Sequence, residues 1–164
     1  MYFKIKNSLQ EPNFHIRLVN DTQQIPFDLL LLADPSRSMI EAYLAGGNCY
    51  VAFQDNILLG VLVLCEISPS IVEIKNIAVR ETAQGRGLGK RLLEFADQVS
   101  REAAFETIRI GTGNSSIGQL ALYQKVGFEM VAIKKDFFLQ QYEQPIFEHG
   151  IQCKHMIVLE KKLD

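Results

Sequence analysis

A glycine-rich turn between a strand-like run and an amphipathic helix constrains this chain more than any other feature. Residues 71–79 are apolar enough for a strand, and the turn that follows them is Gln84-Gly85-Arg86-Gly87-Leu88-Gly89. A helix is predicted over residues 87–104, because apolar residues recur there at spacings of three and four. The first N–H groups of a helix have no intrahelical partner, and glycine lets a ligand approach them closely. The turn therefore predicts an anion site suited to a pyrophosphate.

Two common phosphate-binding patterns do not fit this turn. A Walker P-loop requires glycine five residues before its Gly-Lys pair and Ser or Thr after it, but Gln84 and Arg91 stand there. A Rossmann fingerprint fails because Lys90 or Leu92 takes the place of its last glycine. The pattern that the turn satisfies is Gln/Arg-x-x-Gly-x-Gly/Ala. An ATP-dependent enzyme is therefore the weaker alternative.

The remaining periodicity predicts one α/β domain over residues 1–164, in which helices cover a mixed sheet. The predicted strands are residues 14–19, 48–54, 57–67, 71–79, 107–112, 128–134 and 151–161. The other predicted helices are residues 26–33, residues 37–45, and a helix through Val126 whose N-cap is Asn114, Ser115 or Ser116. Residues 135–150 are predicted to be a long aromatic loop, and a loop of this length is usually functional or mobile.

Charge and cysteine content argue against several classes of protein. The formal net charge of −2 gives no reason to expect a nucleic acid or an anionic membrane as partner. No apolar run approaches the roughly 20 residues of a membrane span, and the first residues do not form a secretory signal, so a reducing cytoplasm is expected. Cys49, Cys65 and Cys153 are expected to be buried free thiols. Cys153 and His155 share a strand face, but no set of ligands has a known zinc spacing, so no metal is expected.

With a second motif, the chain resembles the GNAT superfamily of acyl-CoA-dependent N-acyltransferases over roughly residues 14–160. This motif is Leu122-Tyr123-Gln124-Lys125-Val126-Gly127-Phe128, which is similar to the family's Leu-Tyr-x-Lys-x-Gly-Phe segment. It follows the glycine turn at the expected distance, on a helix that enters a strand. The resemblance implies a mixed, mostly antiparallel sheet of about seven strands with helices on both faces. It also implies that strands four and five splay apart.

The resemblance further implies that acetyl-CoA is the co-substrate. Its pantetheine arm would lie in the splay and pair with the backbone of strand four, while the amides of the glycine turn would hold the pyrophosphate. Asn114 resembles a family position that touches the pantetheine arm, although a helix N-cap is an equally good explanation of that residue. The coenzyme-binding residues implied are Ile77, Ala78, Val79, Gln84, Gly85, Arg86, Gly87, Leu88, Gly89, Lys90 and Asn114.

Two residues are implied in the chemistry. Tyr123 is the candidate general acid, because the family often places a tyrosine there near the coenzyme's sulfur; the alternative is a half-buried core tyrosine. Glu73 is the candidate general base, although a surface pair with Lys75 would also explain it, and many family members use no dedicated carboxylate. Strand alternation places Glu73 on one face with Lys75 and Ile77 unless a bulge intervenes.

The acceptor implied is a primary amine on a small molecule or a peptide. The aromatic loop over residues 135–150 is expected to shape its pocket, where Asp136, Glu143 or Glu148 could attract a cation and His149 could line the mouth. A catalytically silent acyl-CoA sensor is the alternative function. Homodimer formation through the last strands is common in the family and is possible here.

Overall fold

A computed structural model of the chain describes residues 13–164. Its strands are β1 Phe14–Leu18, β2 Asn48–Gln54, β3 Ile57–Ser68, β4 Ile71–Val79, β5 Thr107–Gly113, β6 Glu129–Lys134, β7 Ile146–Glu148, β8 Ile151–Cys153 and β9 Met156–Lys162. Its α-helices are α1 Phe27–Ala33, α2 Arg37–Leu44, α3 Leu88–Glu102, α4 Ile117–Lys125 and α5 Phe137–Gln141. Short 3-10 turns occupy Thr22–Gln24 and Glu81–Ala83.

Seven of these strands form one sheet in the order β1-β2-β3-β4-β5-β9-β6. Every neighbouring pair is antiparallel except β4 and β5, which run parallel. The parallel pair needs a crossover, which α3 supplies between β4 and β5. The predicted mixed, mostly antiparallel sheet of about seven strands is confirmed.

The splay predicted between strands four and five is also confirmed. β4 pairs with β5 only from Ile71–Thr107 to Ile74–Ile110, although β4 continues to Val79 and β5 to Gly113. Beyond Ile74, β4 is paired only with β3. Alternate backbone groups of its last residues therefore face a gap instead of a neighbouring strand.

Two apolar clusters place helices on both faces of the sheet. On one face, Leu92, Leu93 and Ala96 of α3 and Tyr123 of α4 pack against the inner strands. On the other face, Leu29 and Leu30 of α1 and Ile40 of α2 pack against β2, β3 and Ala78 of β4. Both sets of helix residues are almost fully buried, so the sheet is the middle layer of the fold.

A β-bulge in β4 changes which side chains share a face. Val63 pairs with Asn76 and Leu64 pairs with Ile74, so Lys75 is the extra residue. Beyond the bulge Ile77 packs with the α3 cluster, whereas Glu73 is opposite Cys65 of the α1 cluster. Uninterrupted alternation, which would put Glu73 and Ile77 on one face, is therefore wrong.

Residues 135–150 contain more regular structure than a long loop. They include α5 and β7, and β7 forms a separate hairpin with β8. His149 and Gly150 connect the two strands with φ values of 53° and 72°, the pairing of positive φ values found in a type I′ hairpin turn. The single strand predicted over residues 151–161 is in fact two strands, β8 and β9.

Candidate active site

The start of α3 presents backbone N–H groups that its own sequence leaves uncapped. Gly87 is the N-cap residue, with φ of 79°, and it has no side chain to bond the first amides of the helix. Gly85 also has positive φ, at 75°, and a Cβ added at either glycine would meet no atom within 4 Å. The glycines are needed here for backbone conformation, and the space above them is open to a ligand.

The polar side chains around this turn differ in how they are held. Gln84 donates from Nε2 to the Val79 carbonyl at 3.0 Å, which ties the turn to the end of β4. Arg86 is exposed, and Lys90 lies 3.7 Å from Glu94 in an exposed ion pair. Arg80 is directed elsewhere: it bonds the Leu58 carbonyl and lies 3.4 Å from Asp28. Arg86 and Lys90 are therefore the cations near the turn that an anion could recruit.

A cavity of about 370 Å³ opens where β4 and β5 separate. Residues 73–77 of β4 and 110–113 of β5 border it on the sheet side. The rest of its lining comes from α1, α2 and α4 with residues next to them, from the segment over residues 137–148, and from Cys153 and Met156. Its volume is within the roughly 300–1,000 Å³ typical of small-molecule pockets. Glu73 and Tyr123 both border this cavity, so the fold brings the two predicted catalytic side chains to one space.

Tyr123 reaches the cavity from α4 and is 5% exposed. Its ring lies 6.2 Å from that of Phe128, in the same apolar cluster. Burial raises the pKa of the Tyr123 hydroxyl well above its ordinary value, since the phenolate would lose its hydration. Tyr123 therefore stays protonated throughout the physiological pH range and can act as a proton donor.

Glu73 is 8% exposed and forms an ion pair with Lys75, whose Nζ lies 3.1 Å from Glu73 Oε1. Both side chains border the cavity. The expected Glu73–Lys75 pair is thus present, but Glu73 is largely buried and so is not a surface residue. The carboxyl group of Glu73 is therefore at the cavity wall, within 3.1 Å of an amine side chain.

Asn114 follows β5 and uses its side chain to fasten the chain before β9. Its Oδ1 accepts from the backbone N–H groups of Lys154 and His155 at 2.8 and 2.9 Å, and its Nδ2 donates to the Gln152 carbonyl at 3.1 Å. The N-cap of α4 is Ser116, which makes no side-chain cap bond. In this structure Asn114 links β5 to the segment between β8 and β9.

Four polar residues at the cavity form a hydrogen-bonded network that was not predicted from the sequence. The Tyr142 hydroxyl donates to Asp34 Oδ1 at 2.9 Å, and the Tyr43 hydroxyl lies 3.4 Å from Asp34 Oδ2. Asn76 in turn donates to the Tyr43 hydroxyl at 2.9 Å. Burial, with the Asp34 carboxylate close by, raises the pKa of both tyrosines well above the ordinary value. Asp34-Pro35-Ser36 is recognisable in the sequence as a break between two helices, but nothing local shows that Tyr142, 108 residues away, bonds to it.

Other predicted features fall outside this cavity. Of the acidic residues considered, Glu148 borders it, whereas Asp136 and Glu143 do not, and neither does His149. Within residues 13–164, no three His, Cys, Asp or Glu side chains are grouped so that they could hold a metal ion. The three cysteines are buried and free. No helix in this part of the chain combines the length and apolar character that a membrane span requires.

Comparison with known proteins agrees with this geometry. The model of the acetyltransferase (GNAT) family matches residues 16–128. The uncharacterized N-acetyltransferase YvbK of Bacillus subtilis (strain 168) is 50% identical over 144 residues, which cover 88% of this chain and 93% of that protein.

Solved structures show the same likeness. A GNAT family acetyltransferase from Elizabethkingia anophelis with acetyl-CoA bound is 44% identical, with a TM-score of 0.91 over 93% of this chain and all of that chain. A Bacillus subtilis acetyltransferase in complex with CoA is 48% identical, and an IAA acetyltransferase from Bacillus cereus is 45% identical. Both have a TM-score of 0.88 over 92% of this chain and 99% of theirs. The chain therefore belongs to the GNAT family of acetyltransferases.

Proposed function

We propose that this protein is an N-acetyltransferase that transfers an acetyl group from acetyl-CoA to a primary amine by direct attack in a ternary complex. One observation carries the proposal: the open edge of β4 borders a cavity that Tyr123 and Glu73 also border, and the glycine turn after β4 leads to the uncapped start of α3. This arrangement supports a phosphate site at α3, a slot for an extended chain along β4 and two candidate proton-transfer groups at the cavity.

The coenzyme would bind along this path. The amides of residues 85–90 would hold its pyrophosphate at the positive end of α3, helped by Arg86 and Lys90. The pantetheine arm would pair with Ile77, Ala78 and Val79 as an added strand does. Acetyl-CoA and CoA are bound in the solved structures of two relatives at 44% and 48% identity, which supports this choice of coenzyme. Asn114 would contribute to coenzyme binding indirectly, by holding the segment between β8 and β9 in place.

Acyl transfer would need side chains for two proton transfers, one from the amine and one to the leaving thiolate. A lysine-like amine has a pKa of about 10.4, so its neutral form costs roughly 4–5 kcal/mol at pH 7. Glu73, directly or through water, would take the ammonium proton, and the free amine would attack the thioester carbon. A β4 amide near the gap would polarise the carbonyl oxygen. As the C–S bond breaks, the Tyr123 hydroxyl would protonate the thiolate, and the second proton that the attacking nitrogen loses would return to Tyr123 through water.

Calorimetry and a coupled assay test this function in two steps. CoA is expected to bind the protein with measurable heat, and ATP is expected not to displace it. Acetyl-CoA consumption is then measured across a panel of primary amines, with Tyr123→Phe and Glu73→Gln alongside. We expect kcat to fall about 10- to 100-fold in each variant, with CoA affinity retained.

The outcomes separate this function from its alternative. Absence of heat with CoA from folded protein would refute the proposal. Tight binding without turnover of any amine would favour the acyl-CoA sensor instead. Unchanged turnover in both variants would refute the roles proposed for Tyr123 and Glu73 but would leave the proposed reaction in place. Because one relative is named an IAA acetyltransferase, IAA belongs in the panel as a competing acceptor.

We also propose that the protein forms a homodimer through β6. This strand is at the edge of the sheet, and all six of its residues are exposed. Met130, Val131 and Ile133 make it apolar as well. An exposed apolar edge strand favours pairing with another strand, and β6 of a second copy is the partner proposed.

A further inference from the structure

Asn76 has an acceptor atom that the fold leaves without a partner. Its Nδ2 donates to the Leu30 carbonyl at 3.0 Å and to the Tyr43 hydroxyl at 2.9 Å. Because a backbone carbonyl only accepts, the orientation of the carboxamide is fixed. Its Oδ1 is buried, the residue is 3% exposed, and no donor within residues 13–164 reaches that oxygen. Since a buried acceptor costs free energy unless it is bonded, this oxygen calls for an N–H or O–H from elsewhere.

The surroundings of Asn76 are negatively charged. Among the described residues, Asn76 borders the cavity between β4 and β5 together with three carboxylates, Asp34, Glu73 and Glu148, and one ammonium group, Lys75. Lys75 already pairs with Glu73 at 3.1 Å. Asp34 already accepts from Ser36 N and from two tyrosines, which are uncharged donors. An anion entering this cavity would meet net repulsion, whereas a cation would be attracted.

Part of the cavity wall is aromatic. Phe137 and Phe138 are 5.2 Å apart edge to face, and Phe138 stacks on Tyr142 at 5.6 Å. All three border the cavity. Aromatic faces favour apolar or planar bodies and attract cations placed over them. The cavity of about 370 Å³ must also receive the thioester end of the coenzyme, so the remaining space suits a compact acceptor.

Resting on the N-acetyltransferase function proposed above, we propose that Asn76 determines acceptor specificity: its Oδ1 accepts an N–H from a compact amine with an apolar or aromatic body. An ammonium group supplies the donor that Oδ1 lacks and complements the surrounding carboxylates. A carboxylate of the same shape supplies no donor and is repelled by them. The acceptor class is therefore a small cationic amine, and anionic compounds of equal size are excluded.

A matched ligand series on the wild-type protein tests this selectivity. The protein is saturated with CoA, which forms the dead-end complex, and titrated calorimetrically with 2-phenylethylamine, 2-phenylethanol and phenylacetate. The three share a phenyl body and differ in the polar group. A second pair, n-butylamine and butyrate, repeats the comparison with an aliphatic body. Each amine is expected to bind at least about 10-fold more tightly than its uncharged or anionic counterpart.

Two variants test the role of Asn76 itself. Asn76→Leu removes Oδ1 and is expected to weaken amine binding about 10-fold or more, with CoA affinity unchanged. Tyr43→Phe is the matched control. It removes one partner of Asn76 Nδ2, but the bond from Nδ2 to the Leu30 carbonyl still fixes the orientation of the carboxamide and so the position of Oδ1. It is expected to change amine affinity much less. The KM for the amine should rise in Asn76→Leu, whereas the KM for acetyl-CoA should not.

Several results would overturn this inference while leaving the acetyltransferase function intact. One is binding of phenylacetate or butyrate as tight as that of the matching amine. Another is lower stability in Asn76→Leu with unaltered amine affinity, which would mean that Oδ1 holds only a buried water. Failure of every amine to bind the CoA complex would overturn it too. Should Asn76→Leu fail to fold, the ligand series on wild-type protein still tests whether the cavity prefers amines to anions. Absence of CoA binding, by contrast, would refute the proposed function.

Discussion

The carboxylate of Glu73 and the ammonium group of Lys75 are in contact at the cavity wall. Their roles can be separated, because only the carboxylate is proposed to take a proton. We expect Glu73→Gln to lower kcat about 100-fold and Lys75→Met to retain most of it. Steady-state rates with the best amine and saturating acetyl-CoA measure both. An equal loss in the two variants would mean that the pair matters for structure and that Glu73 is not the base.

A buried thiol makes stability depend on alkaline pH. Burial raises the pKa of Cys49 from 9.0 to about 11. Between these values the unfolded chain has lost the thiol proton while the folded chain keeps it, so the folded state is destabilised as pH rises. The free energy of unfolding should fall by up to about 1.4 kcal/mol per pH unit from pH 9 to 11.

Urea unfolding at a series of pH values measures this slope, with Cys49→Ala as the control. The variant is expected to be less stable at pH 7 because it leaves a small cavity. Its stability should nevertheless decline less steeply than that of the wild type above pH 9. Parallel declines would show that other groups, such as the buried tyrosines, dominate the alkaline loss.

At the residue scale the sequence predicted the groups that belong to motifs and missed those that are assembled over distance. Tyr123 of the second motif and Glu73 of β4 border one cavity, and their catalytic roles stay predictions. The role of Asn76 and the bond from Tyr142 to Asp34 were missed, because Leu30 and Asp34, the partners, are 46 and 108 positions away. Strand alternation also failed past Lys75, since no local pattern reveals a bulge that the pairing with β3 creates.

The start of α3 is the element on which coenzyme binding is proposed to depend. Gly87 has a φ of 79°, and space is open around it. Gly87→Ala should therefore cost about 1 kcal/mol of stability through backbone strain. It should also weaken CoA binding about 10-fold or more, because the methyl group would occupy the approach to the first amides. Calorimetry with CoA and urea unfolding measure the two effects.

Gly46→Ala is the matched control for this change. Gly46 also has no atom within 4 Å of an added Cβ, but its φ is not positive. It follows α2, on the other face of the sheet. We expect unaltered CoA affinity in this variant and little change in stability. A similar loss of affinity in both variants would argue against binding at the start of α3.

At the element scale, length decided which predictions succeeded. The long strands and α3 have many periodic positions, so their predicted bounds are within a few residues of the observed ones. α5, β7 and β8 have five, three and three residues, too few for a period to be visible. Contacts from elsewhere hold them, such as the Phe138 N–H to the Lys154 carbonyl at 2.9 Å. Tertiary bonding of this kind has no signature in a short sequence window.

For the whole molecule, the apolar edge of the sheet leads to a prediction about assembly. Ile133 of β6 is 67% exposed, so a charge there would not disturb the core. We expect Ile133→Lys to convert the proposed homodimer to a monomer, because paired edges would bring the new charges together. Light scattering coupled to size-exclusion chromatography measures the mass of each form.

Ile57→Lys is the control, since Ile57 is 61% exposed and lies at the start of β3, away from β6. It should leave the mass unchanged. A wild-type protein that stays monomeric up to high concentration would contradict the dimer. The order along the chain of the seven strands of the main sheet and of the four longer helices, by contrast, was predicted, because their periodic segments are long. The position of β9 between β5 and β6 was not predicted.

Because β4 and β5 pair over a short length, the stability of the protein should depend on the coenzyme that binds between them. Within residues 13–164, four pairs of strand residues join the β1–β4 half of the sheet to the half formed by β5, β9 and β6. An extended molecule lying in the gap would extend that pairing, and binding to the folded state alone always opposes opening. Empty protein should thus exchange its β4 amides for deuterium faster and be cleaved sooner by proteases. In a starved cell, its half-life would then shorten as the coenzyme pool falls.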